Sequence, residues 1–240
     1  MTASASAPTV PNYDDVWNQA YGEMQDRGPV HLHMRRLLQR VLRPLEYRSV
    51  VDVGCGAGHN LPLLCAGRSL ERVTGVDVSE EALSRARARS DADFRLLDIE
   101  QGKLDGTWDL VFSSLVLEHL PDDRAALRNM RAMCGRHLVV TTIAGDFERY
   151  RAWDEQMGHV RNYARGELER KLRDAGFAVR EAIYWGRPFY TPVARTLQNR
   201  MTSEPEFTPA ARALAWLMHK LYYLNSSRRG DVLIARAEPV

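Results

Sequence analysis

Cysteine is scarce in this chain, and what there is has no pairing pattern. Cys55, Cys65 and Cys134 are its 3 thiols in 240 residues, an odd number with no Cys-x-x-Cys spacing. That argues against a disulfide framework or a cysteine-based zinc site, and it fits a reducing cytoplasm. An excess of one charge is also missing. The 33 Lys and Arg oppose 31 Asp and Glu, for a formal net charge of +2. So weak a field gives no electrostatic argument for nucleic acid or an anionic membrane. No run of about 18 apolar residues occurs, so no membrane span is expected. The opening MTASASAPTVPN has no apolar core of the kind a secretion signal needs, and its small polar residues predict a disordered leader over 1–12. There is no internal repeat. In the biased stretch SRARAR, Arg85, Arg87 and Arg89 point in different directions on a helix and read as a solvated face.

What the chain does have is a steady alternation of strand and helix patterns. Met34, Leu37, Leu38, Val41 and Leu42 share one face of a helix over 31–42, which Pro44 ends. SVVDVG reads as a short strand buried on both faces. Residues 59–66 suit a short helix with Pro62 in its first turn. RVTGVDV is a second strand, and Ser79 can cap a helix over 80–90. DFRLLDI and WDLVFSS are a third and fourth strand, 121–134 is helical, and RHLVVTTI is a fifth strand. A long polar connection with aromatics spans 144–163. A helix then closes at Gly176, followed by the strand AVREAIYW, the irregular GRPFYTPVARTLQNR, an amphipathic helix over 208–224 and a last strand DVLIARAE. This order predicts a doubly wound α/β sheet in a single domain over 13–240, with 13–44 as a helical lid and 185–228 as a cap.

The most informative stretch is VVDVGCGAG, residues 50–58, followed by VTGVDVS. A strand that ends in Gly54, Gly56 and Gly58 brings bare backbone close to a ligand at the carboxyl edge of such a sheet. Asp77, at the end of the next strand, can accept two hydrogen bonds from a ribose diol and would repel a 2′-phosphate. Loop and acid together suggest a cofactor containing adenosine. The dinucleotide fingerprint needs Gly or Ala where this chain has His59, and the phosphate loop's Gly-Lys-Ser/Thr is absent. A cofactor without phosphates suits the pattern better than a nicotinamide.

DVGCGAG, GVDVS, LLDIE, WDLVFSSLVLEHLPD and GHVRNYARGELERKLRDAGF resemble the successive motifs of class I S-adenosylmethionine-dependent methyltransferases. The likeness is strongest to the small domain type that methylates small molecules, and it runs from about residue 30 to 184. It implies a Rossmann-like sheet of seven strands with the last one antiparallel between two others. It also implies site roles. Asp52 would sit by the methionine amino group and Gly54, Gly56 and Gly58 would line the cofactor. Asp77 with Val78 would hold the ribose side, Asp98 and Ile99 the adenine. Ser114, with Ser113 and Leu115, would border the reacting methyl. An arginine of the first helix, Arg36 or Arg35, would meet the methionine carboxylate.

His119 is the first candidate base, since an unperturbed imidazole titrates near 6.5. A His at that place can equally close the loop through backbone hydrogen bonds. His159 and Tyr163 lie in the long connection expected to face the acceptor. Tyr21, with Tyr13 and Trp17, would form an N-terminal lid beside His31. Phe189 and Tyr190, stiffened by Pro188 and Pro192, would shape the acceptor pocket; the alternative is a homodimer surface. The strand end SSLV lacks the Asn/Asp-Pro-Pro-aromatic motif of nucleobase amino methylation, and there is no basic stripe, so nucleic acid is a poor substrate. Ser113 and Ser114 are poor Mg²⁺ ligands, so a metal-free in-line displacement is expected and no metal ligands are assigned. The implied reaction is methylation of a small molecule, on oxygen first and on nitrogen or carbon otherwise. A catalytically silent cofactor-binding partner remains the alternative from another class.

Overall fold

The apolar run SVVDV forms β1 (Ser49–Val53) inside a seven-stranded sheet. This is seen in a computed structural model that describes residues 28–198 and 208–240. The expected leader and the lid positions Tyr13, Trp17 and Tyr21 lie outside the described residues. Val50, Val51 and Val53 are fully buried, each burial contributing ~1.5–3 kcal/mol. The sheet is completed by β2 (Arg72–Asp77), β3 (Asp93–Leu96), β4 (Trp108–Ser114), β5 (Cys134–Ile143), β6 (Phe177–Trp185) and β7 (Val232–Pro239). Their order is β3-β2-β1-β4-β5-β7-β6. β1 pairs in parallel with β2 and β4, β2 with β3, and β4 with β5. β7 lies antiparallel between β5 and β6, as expected. The chain steps outward from β1 to β3 and then returns to β4. Strand order therefore reverses between β1 and β4, and such reversals place ligands beyond the carboxyl ends of the strands.

α1 (Pro29–Leu42) buries the five apolar positions of its predicted stripe, and Pro29 serves its first turn, where no amide partner is needed. α2 (Leu61–Cys65) carries Pro62 in its first turn. α3 (Glu80–Arg87) is capped by Ser79, whose hydroxyl accepts from the Ala82 amide at 3.1 Å. Its arginines are engaged locally, Arg85 with Glu81 at 2.9 Å and Arg87 with Glu80 at 2.5 Å, and Arg89 just beyond the helix meets His59 at 2.8 Å. α4 (Asp123–Met133) buries Ala126, Leu127 and Met130 against the sheet.

The connection after β5 is not irregular. It contains α5 (Phe147–Gln156), capped by Asp146 and kinked at Tyr150. Its inward face is Tyr150 and Asp154 rather than a stripe of leucines, so hydrophobic periodicity had no signal to offer. α6 (Glu167–Asp174) buries Leu168 and Leu172, one turn apart, and ends at Gly176 in the left-handed region as predicted. A π-helical turn (Tyr190–Ala194) leads into α7 (Arg195–Gln198). α8 (Pro209–Leu221) precedes a 3₁₀ turn (Tyr222–Leu224).

The strands alternate between two cores. Val50, Leu110, Phe112 and Val139 face α1 and the Trp185–Tyr190–Tyr222 aromatics. Val51, Val111, Leu138 and Val140 face α4 and α6. β3 stops earlier than DFRLLDI suggested. β2 ends at Asp77, whose carbonyl takes the Leu97 amide at 2.9 Å, and nothing further along β2 is there to pair with. No helix among the described residues is long and apolar enough to cross a membrane.

Candidate active site

The loop after β1 is fastened to the end of β2. The amides of Gly54 and Cys55 both donate to the Val76 carbonyl, at 2.8 and 3.0 Å. Gly54 sits at φ +71°, and a Cβ there would run into the side chain of Val116. A side chain at this position is therefore refused twice, by the backbone conformation and by the neighbour. Gly56 and Gly58 are also in the left-handed region. Asp77 stitches the loop from the other side. One carboxylate oxygen accepts from the Gly56 amide at 2.8 Å and the other from the Ser79 amide at 3.0 Å. These bonds orient the carboxylate against the loop.

Asp52 lies beneath the loop on β1. It is fully buried, and neither carboxylate oxygen has a hydrogen-bond partner. Burial, and secondarily the charge of Asp77, push its carboxyl up to about 8. A buried carboxyl without partners is costly. It is a natural seat for an ammonium or other donor supplied by a ligand.

The residues expected beside the ribose and adenine divide. Val78 is 48% exposed beside Asp77, whereas Ile99 is buried in the core that faces α4. Asp98 is half-buried and serves a turn. Its carboxylate accepts from the Glu100 amide at 2.9 Å and its carbonyl from the Gln101 and Gly102 amides.

At the end of β4, Ser113 is buried with its hydroxyl unpartnered, and Ser114 is half-buried. Leu115 follows at φ +58°, the one non-glycine residue with positive φ among those described. Strain of this kind concentrates at ligand sites. The chain then makes a 3₁₀ turn, Leu117–His119. Here the structure joins His119 and His159, the two histidines singled out from the sequence, with ring centroids 4.8 Å apart and planes at 80°. His119 Nδ1 lies 3.1 Å from the Gly158 carbonyl and His159 Nδ1 lies 3.3 Å from Asp154. Burial first, then the neighbouring His159, push His119 down to about 3. The near-neutral pKa that recommended His119 as a base is thus absent, and its imidazole is uncharged at working pH.

Sequence reasoning missed Glu118, Asp154 and Arg195. Glu118 is fully buried, with Oε2 accepting from the Thr142 hydroxyl at 2.8 Å. Asp154 receives Arg195 through two bonds, 3.1 and 2.8 Å, and Asn162 at 2.7 Å. Arg195 also bonds Asp231 at 2.7 Å. His159 and the Asn162 amide together with Arg195 hold the Asp154 carboxyl below its usual range despite burial, whereas burial keeps Asp231 above it. Asp154 takes two of the guanidinium's bonds and has further donors; Asp231 takes one. No spacing in the sequence announces this network.

Tyr163 is buried, and its hydroxyl donates to Asp123 at 2.6 Å within the core. Tyr190 is buried between Trp185 and Tyr222, while Phe189 is half-buried beside it. Arg36 is exposed with its guanidinium 4.5 Å from the Tyr223 ring, and no described contact joins it to the glycine loop. His31 is half-buried near the start of α1, and Tyr21 is outside the described residues.

The site can be set beside known proteins. The chain is 28% identical over 208 residues to trans-aconitate 2-methyltransferase of Azoarcus sp. strain BH72, covering 85% of this chain and 78% of that one. It is 30% identical over 148 residues to the ubiquinone biosynthesis O-methyltransferase of Coxiella burnetii, covering 57% of this chain but only 60% of that protein. Its fold matches the N-methyltransferase NodS of Bradyrhizobium japonicum WM9, solved with S-adenosyl-L-homocysteine, at a TM-score of 0.63 and 20% identity, over 97% of this chain and 99% of that one. Residues 27–182 match the family described as "Methyltransferase domain", and the chain belongs to that family of class I methyltransferases.

Proposed function

We propose that the chain transfers a methyl group from S-adenosylmethionine to an oxygen of a small-molecule acceptor. The observation that carries the cofactor is Asp52. Its two buried, unpartnered oxygens lie under a glycine loop that admits no side chain at Gly54, at the point where strand order reverses. Gly54, Gly56 and Gly58 would present backbone to the cofactor, Asp77 would hold its ribose hydroxyls, and Asp52 its ammonium group. Asp98 and Ile99 would border the adenine, with the Asp98 carboxylate recruited from its turn, and Val78 would lie beside Asp77 on the ribose side. Oxygen is favoured as the acceptor atom because the two curated relatives carry names of O-methylation or of methylation of a carboxylic acid.

Bound there, the cofactor supplies a methyl group on a sulfonium, displaced in line with loss of a neutral thioether. The chain's own task is alignment in a dry site, which can be worth about 7–11 kcal/mol. Ser114 and the strained Leu115 at the end of β4 would border the reacting centre. His119 and His159 would hold the acceptor's polar group. The uncharged His119 ring would act chiefly as a positioned hydrogen-bond or ligand atom.

Calorimetry with S-adenosylhomocysteine, using NADH as the control ligand, tests the cofactor. Micromolar binding of the first alone is expected; binding of NADH alone would overturn it. Turnover on a panel of small hydroxy and carboxylic acids then separates an enzyme from a silent binding partner. Asp77→Ala should weaken S-adenosylhomocysteine at least about 10-fold, since it removes charge-assisted hydrogen bonds of ~1.5–3 kcal/mol each and loosens the Gly56 amide. Unaltered binding would put the ribose elsewhere. His119→Ala should lower turnover at least about tenfold while leaving cofactor affinity nearly intact. Unchanged turnover removes His119 from the reaction.

A further inference from the structure

We propose that Glu118, His119 and His159 form a binding site for one divalent transition-metal ion, of the type that Zn²⁺ or Co²⁺ fills. Two come from the turn after β4 and one from the loop after α5, and the fold brings them together. One ligand atom from each lies within 4.8 Å of the others. An ion would draw that spread in to the roughly 3.3 Å edge of a tetrahedron built on bonds of ~2.0–2.1 Å.

The independent observation is Glu118. Its side chain is fully buried, Oε2 accepts from Thr142, and Oε1 has no hydrogen-bond partner. A buried carboxylate with a bare oxygen calls for a cation. The surroundings are those of a metal centre. A ligating imidazole is characteristically oriented through its other nitrogen by a carbonyl or carboxylate. His119 has the Gly158 carbonyl at 3.1 Å and His159 has Asp154 at 3.3 Å. Asp154 is in turn fixed by Arg195 and Asn162. One nitrogen of each ring and one carboxylate oxygen of Glu118 are the atoms an ion would gather.

Two imidazoles and one carboxylate suit zinc, cobalt, nickel or iron rather than Mg²⁺ or Ca²⁺, which prefer oxygen donors. Three protein ligands leave coordination positions open. These would take an oxygen of the acceptor, and that part of the inference alone rests on the methyl-transfer reading above. It replaces the metal-free alignment expected from Ser113 and Ser114 with an ion one turn further along the chain.

The test uses the full chain, freed of metal by a chelator and titrated with Co²⁺, then Zn²⁺. Visible absorption and metal content after dialysis are the readouts. One Co²⁺ per chain, with bands distinct from aqueous Co²⁺ and lost on adding Zn²⁺, is expected. Glu118→Gln and His159→Asn should each weaken binding at least about 10-fold, and Thr142→Val should weaken it less. Calorimetry with S-adenosylhomocysteine on the same samples reports whether the fold and the cofactor site persist. Wild-type protein that binds S-adenosylhomocysteine but no Co²⁺ overturns the site. Equal Co²⁺ binding by wild type and both variants overturns it too. Co²⁺ binding without S-adenosylhomocysteine binding keeps the metal site and removes the cofactor reading instead.

Discussion

Replacing Arg195 by Met should destabilise the fold by about 3–5 kcal/mol, because it strands two carboxylates in the interior. For a chain of this size that is a fall in melting temperature of roughly 6–20 °C. Arg195 is 3% exposed, and so fully enclosed that water cannot replace it. It links Asp154 on α5 to Asp231 at the start of β7, and it also donates to the Ala144 carbonyl at 3.1 Å. The side chain of Met has similar reach, so packing is approximately kept and the charge is what is lost. The unpaired carboxyls would then titrate higher in the folded chain than in the unfolded one. The variant's deficit should therefore shrink as pH falls toward 5 and grow toward 8. Adding Asp231→Asn should return part of the loss. A deficit below about 1 kcal/mol at pH 8 would mean that the pair is solvated and contributes as an ordinary surface bridge does. His159 takes its bearing from Asp154, so the same substitution should lower turnover in whatever fraction remains folded.

Asp52→Asn should move stability and cofactor affinity in opposite directions. The Asp52 carboxyl titrates near 8 in the folded chain, against about 3.9 when unfolded. Between those values the folded chain keeps a proton that the unfolded chain has released. Stability is therefore full below about pH 4 and declines by at most about 1.4 kcal/mol per pH unit up to about 8. Asn cannot ionise and should abolish that decline, so the ligand-free variant should melt higher than wild type at pH 8. Its affinity for S-adenosylhomocysteine should drop about 10- to 100-fold through loss of one charge-assisted hydrogen bond. Binding at pH 7 should release about one proton in wild type and none in the variant, which calorimetry in buffers of different ionisation enthalpy reads directly. If the variant melts no higher at pH 8, the buried carboxyl carries no penalty. If binding is unaffected, the ammonium sits elsewhere.

The glycine loop and its acid can be read from residues because they are local. The strand VVDV, the glycines after it and Asp77 after the next strand are short-range features, and the sheet brings Asp77 within 2.8 Å of the Gly56 amide. The same was true of the helices with apolar stripes, such as α1, and of the caps at Ser79 and Gly176. The histidine pair and the charges around it are not readable in that way. α5 escaped notice because its buried face is Tyr150 and Asp154, a pattern that makes sense only once Arg195 arrives from beyond β6. Tyr163 and Tyr190 looked like pocket residues, yet their rings are enclosed and the Tyr163 hydroxyl is engaged with Asp123.

The resemblance of its motifs implied the family and the antiparallel last strand; by itself the amino-acid order determined the alternating strands and helices and the glycine loop with its acid. Those depend on hydrophobic period, φ preference and turn chemistry, all of which act within a few residues. Only the tertiary structure decided that Glu118, His119 and His159 meet, that Arg195 lies between Asp154 and Asp231, and that Asp52 is left without a partner. Burial and the pairing of distant charges are properties of the packed chain, and they set the pKa values and decide which side chains meet.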